Sequence, residues 1–135
     1  MAKKKTKFTF AVGKRRSSSA RVRLFKGKGE NVINGKPIGQ YFPGLINKIA
    51  WSKPFEVTET FHKYYASVKV FGGGKKGQLE ATIHGISKAL ALVKPETFKA
   101  LLKKAGLLTR DSRIRQRRMV GMGGKARRKK QSPKR

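Results

Sequence analysis

The sequence predicts an α/β (α+β) fold, a small mixed sheet with helices mainly on one face, followed by a long extended basic tail. Apolar residues alternate with polar ones in three segments before residue 71, which is the pattern of half-buried strands. A helical period replaces this alternation after the glycine run at residues 72–74. The 135 residues leave room for one domain, which we place at residues 1–109, with the tail at 110–135.

Two N-terminal segments are expected to form a strand hairpin. The apolar positions of the first segment fall at every second residue: Phe8, Phe10 and Val12. After a turn at residues 13–19, the second segment alternates over residues 20–24 and directs Arg21 and Arg23 away from its apolar face. A sheet built from these strands would present an arginine-studded outer face.

Shorter elements are predicted in the middle of the chain. Gly27-Lys28-Gly29 indicates a turn, Val32-Ile33 a short strand, and Asn34-Gly35 a tight turn. Between residues 37 and 54 the pattern indicates one or two short helical turns, broken at Pro43-Gly44.

The third strand, at residues 64–70, runs directly into the glycine run, and a long helix follows. The apolar stripe of this helix has spacings of 4, 3, 4 and 3 residues: Leu79, Ile83, Ile86, Leu90 and Val93. Gly85 costs about 1 kcal/mol of helix propensity relative to alanine, so we expect it to permit a close approach to the sheet. A second helix begins near Pro95 and ends at the C-cap Gly106.

The charge of the chain is strongly positive and concentrated at its ends. The net charge is +29, and residues 112–135 carry 11 Lys or Arg and no carboxylate. Few apolar residues are available for burial there, so alone in water the tail should stay extended. A polyanion fits such a segment, because each neutralised phosphate releases a condensed counterion. The sequence therefore predicts an RNA- or DNA-binding domain and tail.

Basic residues in three regions are candidate nucleic-acid contacts. The hairpin end and the outer sheet face provide the first group: Lys14, Arg15, Arg16, Arg21 and Arg23. Lys75 and Lys76 follow the glycine run. The tail provides the largest group: Arg110, Arg113, Arg115, Arg117, Arg118, Lys125, Arg127, Arg128, Lys129 and Lys130. Arginine suits these roles because its planar fork binds phosphate and stacks on unpaired bases.

Enzymatic, metal-binding and membrane classes have little support in the sequence. The glycine run lacks the Gly-Lys-Ser/Thr step of a nucleotide-binding loop, and it is either a simple turn or a turn that also contacts phosphate. Cysteine is absent, and His62 and His84 are the only histidines and are separated by 22 residues. The scattered carboxylates form no evident acid–base pair. We expect no enzyme activity, metal, cofactor or small-molecule substrate.

Location and two alternative functions also follow from composition. No segment approaches the ~20 apolar residues that span a bilayer, and the N-terminus lacks a secretory signal, which predicts a protein of the cytoplasm or nucleoid without a membrane partner. A nucleoid protein that compacts DNA fits the charge, although no dimerising helix-turn-helix or bending wedge is evident. A ribonuclease or RNA-modifying enzyme fits the basic surface, although it lacks an acid–base pair.

Several motifs connect the chain to a known family. The longest reads Gly72-Gly73-Gly74-x-x-Gly77-Gln78-x-x-Ala81-x-x-x-Gly85-x-Ser87-Lys88-Ala89-Leu90. Shorter ones keep their order around it: Gly13-Lys14-Arg15-Arg16, Ala20-Arg21-Val22, Asn34-Gly35-Lys36-Pro37, Tyr41-Phe42, residues 104–111, and Lys125-Ala126-Arg127-Arg128. By these residues the chain resembles the universal ribosomal protein family nine of the small subunit over nearly its whole length.

The resemblance implies a structural protein of the ribosome. Members of that family bind 16S-type ribosomal RNA in the head of the small subunit, beside other head proteins. Their tails reach the anticodon stem-loop of the peptidyl-site transfer RNA, which makes Lys134 and Arg135 the expected contacts here. The family fold includes a left-handed crossover, against the general preference. Members often have an aromatic residue near the end, whereas this chain has Gln131-Ser132-Pro133.

Overall fold

The computed structural model describes residues 7–122 of the chain. Within them the elements follow one another as β1 (Phe8–Arg15), β2 (Ser18–Lys26), β3 (Val32–Ile33), β4 (Lys36–Pro37), α1 (Ile38–Tyr41), α2 (Leu45–Val57), β5 (Tyr64–Phe71), α3 (Lys75–Val93) and α4 (Phe98–Lys104). This mixed α+β composition confirms the predicted class.

The strands form one mixed sheet in the order β1-β2-β5-β3-β4. β2 is antiparallel to both β1 and β5, whereas β3 is parallel to β5 and antiparallel to β4. A parallel pair cannot be joined by a tight turn, so the chain crosses from β3 to β5 through β4, α1 and α2. The left-handed sense of this crossover stays a prediction.

The hydrophobic core lies between one face of the sheet and the helices. α3 packs against β1, β2 and β5, and α2 and α4 pack against α3. The core-facing positions of the two central strands are all buried: Ala20, Val22, Leu24, Ala66, Val68 and Val70. Leu79, Ile86 and Leu90 of the predicted stripe meet them from α3. The other face of β1, β2 and β5 is open in the part of the chain that the structure describes.

Two glycines bring α3 very close to the sheet. A Cβ on Gly85 would lie 2.6 Å from Cγ2 of Val22, and a Cβ on Gly13 would lie 2.8 Å from Cα of Gly85. Neither position has room for a side chain unless the helix moves. The close approach predicted for Gly85 is therefore confirmed.

The approach of α3 also determines which face of β1 is buried. Ala11 faces the core, whereas Phe8 and Phe10 lie on the outer face with 47% of each residue exposed. The strand was predicted correctly, but small residues and not phenylalanines face the helix, since larger ones would not fit. β1 also continues to Arg15, so the turn expected at residues 13–19 is reduced to Arg16-Ser17.

The remaining elements agree with the sequence to different degrees. Asn34 and Gly35 have φ of 51° and 81°, which suits the predicted tight hairpin turn. Gly106 has φ of 75° and the amide of Leu107 donates to the Leu102 carbonyl at 3.0 Å, which confirms the glycine C-cap. The short helix α1 and the predicted break at Pro43-Gly44 are confirmed, but residues 45–57 form a 13-residue helix and not a short helical turn.

Candidate nucleic-acid interface

The glycine run packs against the turn between β1 and β2. Gly72 and Gly73 have positive φ of 77° and 62°, and a Cβ on Gly72 would lie 2.5 Å from the Ser17 carbonyl oxygen. The Ser18 hydroxyl donates to the Gly72 carbonyl at 3.1 Å. The glycines are needed for this close packing, which places Arg16 at the hairpin end near the first turn of α3, with Lys75 and Lys76.

Gln78 connects the glycine run to α1. Its amide nitrogen Nε2 donates to the Gly72 carbonyl at 3.1 Å, and its Oε1 accepts from the Tyr41 hydroxyl at 2.6 Å. Nζ of Lys75 lies 3.3 Å from the centroid of the Tyr41 ring, a cation–π contact. The glycine–glutamine motif therefore has a structural role in fixing the N-terminal turn of α3.

Arg15 holds the beginning of the tail against the domain. Its side chain is buried, and Nε donates to the Glu80 carboxylate at 2.6 Å. Nη1 lies 3.1 Å from Asp111 Oδ1 and donates to the backbone carbonyls of Asp111 and Arg113 at 3.3 and 3.1 Å. The sequence interpretation made Arg15 a nucleic-acid contact; in the structure Nε and Nη1 of its guanidinium bind these protein groups. Its role in this structure is to position the tail.

Asp111 is the second part of this anchor. Hydrogen bonds from the Arg113 side chain and amide hold the pKa of the Asp111 carboxyl well below its usual range, with a smaller contribution from Arg15. The carboxylate is therefore ionised at neutral pH. Arg113 itself is 83% exposed at the side chain, so part of its fork faces solvent.

Basic residues from three elements line one concave surface beside this anchor. Arg16 comes from the hairpin end, Lys76 from α3, and Arg113 and Arg115 from the tail. These residues are up to about a hundred positions apart in sequence, and the three predicted groups of contacts meet here. Glu80 also lines the surface, but Arg15 pairs with it. The concave surface is electropositive and open to an anionic ligand.

The outer face of the sheet is a second basic surface. Arg21 and Arg23 are exposed there, as predicted, and line a shallow groove with Phe10, Ser67 and Lys69. The sequence interpretation did not include Lys69 or the aromatic residues of this face among its candidate contacts. Their alternation along β1 and β5 was visible, but the choice of face depends on the fit of α3.

The other predicted contacts among the described residues do not line the concave surface. Lys14 is exposed at the end of β1, and Arg110, Arg117 and Arg118 are exposed in the segment after α4, which has no regular secondary structure. Seven predicted residues lie outside the described part of the chain: Lys125, Arg127, Arg128, Lys129, Lys130, Lys134 and Arg135.

Over residues 7–122, no cluster of three or more His, Cys, Asp or Glu residues could hold a metal ion. Over the same residues, no helix has both the length and the apolarity to cross a bilayer.

Comparison with known proteins gives the family. A sequence model described as "Ribosomal protein S9/S16" matches residues 13–135. The chain belongs to the ribosomal protein S9/S16 family. The match begins at Gly13, the residue packed against α3, and it includes every basic residue of the concave surface. The S9/S16 family is a family of structural proteins and not of enzymes, which confirms the prediction from the scattered carboxylates.

Curated relatives of this S9/S16 member cover most of its length. A protein of Maridesulfovibrio salexigens named "Small ribosomal subunit protein uS9" is 43% identical over 117 residues, which are 87% of this chain and 89% of the relative. A protein of Rickettsia africae with the same name is 48% identical over 126 residues, 93% of this chain and 78% of the relative. Lawsonia intracellularis has one that is 43% identical over 117 residues.

Proposed function

We propose that the chain is a structural constituent of the small ribosomal subunit. It binds 16S-type ribosomal RNA in the subunit head, beside neighbouring head proteins, and reaches the anticodon stem-loop of the peptidyl-site transfer RNA with its C-terminal residues. The relatives named above support the subunit. The single observation that supports RNA binding by this chain is the concave surface, where Arg16, Lys76, Arg113 and Arg115 converge.

The mechanism is electrostatic and requires no chemical step. Each arginine or lysine that neutralises a phosphate releases a counterion, and the forked guanidinium allows paired hydrogen bonds to phosphate oxygens. Arg15 makes this surface more positive and more ordered without binding the RNA, because it neutralises Glu80 and fixes Arg113 and Arg115 beside Arg16. A surface that is ordered before binding loses less conformational entropy on association.

The tail contacts form the second part of the proposal. The anchor at Asp111 gives the tail a fixed starting point, and 11 basic residues follow that point without a carboxylate. Lys125, Arg127, Arg128, Lys129 and Lys130 bind ribosomal RNA in this proposal, and Lys134 and Arg135 contact transfer RNA. The protein would accordingly be found on ribosomes in the cytoplasm.

Ultraviolet crosslinking in cells, followed by sequencing of the bound nucleic acid, tests the proposal. We expect reads concentrated on the head domain of the small-subunit ribosomal RNA, together with transfer RNA reads that disappear when Lys134 and Arg135 are deleted. The same deletion should leave assembled subunits intact, because two terminal charges are few among the many other RNA contacts. Reads spread over chromosomal DNA or messenger RNA would refute the ribosomal assignment.

A paired charge variant tests the concave surface itself. Arg16→Gln with Lys76→Gln removes two contacts there, and Lys53→Gln with Lys99→Gln removes the same charge from exposed positions on α2 and α4. The first pair should reduce the salt slope of binding to ribosomal RNA by roughly 1.5, and the second should leave it unchanged. Equal slopes for the two pairs would show that binding is diffuse and that the concave surface is not a site.

A further inference from the structure

The outer face of β1, β2 and β5 carries a regular grid of side chains. Residues directly opposite one another in an antiparallel sheet share a face, so strand pairing gives four rows of three. The rows are Lys14-Ser19-Phe71, Val12-Arg21-Lys69, Phe10-Arg23-Ser67 and Phe8-Phe25-Tyr65. The helices pack on the opposite face, which leaves this grid open over the described residues.

The composition of the grid differs from that of an ordinary solvent-exposed sheet face. Five of its positions are aromatic, four are basic and none is acidic. Phe8 and Phe10 are each 47% exposed and Phe71 is 53% exposed, although a phenylalanine gains free energy when it leaves water. Such a cluster of exposed aromatic rings is typical of a binding surface.

The aromatic and basic side chains of the grid are in contact. Cζ of Arg21 lies 5.6 Å from the ring centroid of Phe71, and Cζ of Arg23 lies 5.2 Å from that of Phe8. The face therefore offers both guanidinium groups and aromatic rings on which flat groups can stack.

The charges of the grid are unfavourable for the free protein. Arg21 lies directly opposite Lys69 in the β2–β5 pair, and like charges in that position destabilise a sheet. No carboxylate of the grid compensates for them. An anionic partner that covers the face would remove this repulsion.

The mixture of groups distinguishes between possible partners. A duplex presents phosphates and needs no exposed rings, and a protein partner for a face with four cations would have to be acidic where it meets them. Unpaired RNA presents phosphates and bases together, and sheet surfaces of other RNA-binding domains stack roughly two or three bases on such rings. We infer that this face binds a short unpaired segment of RNA, with Arg21, Arg23 and Lys69 on its phosphates and Phe10 and Phe71 under its bases.

This inference rests on the proposed function for the identity of the RNA, but it can be tested separately. The full-length chain is titrated with decauridylate and with an abasic ribose–phosphate oligomer of the same length, at several salt concentrations. The probes have equal charge, so a difference in affinity reports contacts to bases. Phe10→Leu with Phe71→Leu removes two rings and keeps an apolar surface. Phe61→Leu is the matched control, because Phe61 is 41% exposed but packs beside Phe55 and away from the grid.

We expect the unmodified chain and the Phe61 variant to prefer decauridylate by roughly fivefold or more. The double phenylalanine variant should lose most of this preference with an unchanged salt slope. Arg21→Gln with Arg23→Gln should instead reduce the slope by roughly 1.4. If the double phenylalanine variant keeps the preference, the stacking contacts do not exist and the inference is wrong, whatever the subunit assignment.

A second measurement uses assembled ribosomes. Zero-length ultraviolet crosslinking with mass spectrometry should give a nucleotide adduct on a peptide that contains Phe10, Tyr65 or Phe71. If a lysine-reactive reagent instead links Lys69 to another protein and no nucleotide adduct forms, the face is a protein interface and the inference is overturned. The concave-surface variants would be unaffected by that result, so failure here is distinct from failure of the proposed function.

Discussion

The guanidinium of Arg15 lies 3.1 Å from the carboxylate of Asp111, although the two residues are 96 positions apart in the sequence. This contact closes the domain, because it joins the end of the first strand to the segment that follows the last helix. The same guanidinium binds Glu80 on α3. The hairpin, α3 and the tail therefore share one buried cation, and the concave basic surface is formed around it.

Replacing Arg15 should loosen the tail as well as destabilise the domain. We expect Arg15→Gln to lower the free energy of unfolding by about 2 kcal/mol, less than for a fully buried ion pair, since Glu80 is 40% exposed at the side chain and can be rehydrated. Hydrogen exchange of the amides in residues 107–114 should accelerate more than exchange in β2. Arg16→Gln, at the neighbouring exposed position, is the control and should change neither quantity. Unaltered exchange in the Arg15 variant would mean that the tail is held by other contacts.

The close packing of Gly13 against Gly85 predicts that one added methyl group lowers the stability of the domain strongly. Gly13→Ala would place a Cβ against the backbone of α3, and we expect it to lower the free energy of unfolding by about 3 kcal/mol or more. Gly85→Ala should cost less, because the new methyl meets the Val22 side chain and gains about 1 kcal/mol of helix propensity. Gly39→Ala has no atom within 4 Å of the new Cβ and serves as the control in denaturant titrations. Two neutral substitutions at Gly13 and Gly85 would show that α3 can shift freely on the sheet.

The alternation of apolar and polar residues predicted the buried face correctly for two of the three long strands. β2 and β5 lie in the middle of the sheet, and their apolar residues face the core as expected. β1 failed this rule, because its buried face meets the backbone of α3 at Gly13 and accepts only small residues. The sequence therefore shows the alternation of Phe8 and Phe10 but does not predict their exposure, because hydrophobicity alone does not determine which face of a strand a helix covers.

The candidate site could likewise be predicted from the sequence only in part. The basic character of the hairpin end and the tail could be inferred from charge, and the close packing at Gly85 from its helical context. Pairing between Arg15 and Asp111 could not be inferred, because it depends on where the chain returns after α4. The role of an arginine as a contact or as an anchor is decided by which carboxylates the fold brings within reach of it.

His84 should make stability fall at mildly acidic pH. Its Nδ1 faces the Lys14 amide at 3.5 Å and its Nε2 faces the Leu108 carbonyl at 3.2 Å. Burial lowers the pKa of His84 below its ordinary 6.5, the Leu108 carbonyl opposes this, and Lys88 and Arg110 lower the pKa further. The unfolded state thus binds more protons, so the stabilisation is complete above about pH 6.5 and is lost as the pH falls below it.

Denaturant titrations between about pH 7.5 and 5.5 test this dependence. His84→Gln should flatten the decrease in the free energy of unfolding over that range, since glutamine carries no titrating group. His62→Asn is the matched control, because asparagine tolerates the positive φ of 70° at that position, and it should retain the decrease. An equal decrease in the His84 variant would assign the pH dependence to other groups.

Removal of residues 112–135 should change the salt dependence of RNA binding more than the stability of the domain. The deletion takes away 11 basic residues, and each phosphate contact contributes roughly 0.7 to 0.9 to the slope of log K against log salt. Asp111 and its contact with Arg15 remain in the shortened chain, so the domain should unfold at nearly the same denaturant concentration. Binding of both chains to small-subunit ribosomal RNA is measured at several salt concentrations. We expect a slope several units smaller for the shortened chain, and an unchanged slope would show that the tail does not engage phosphate.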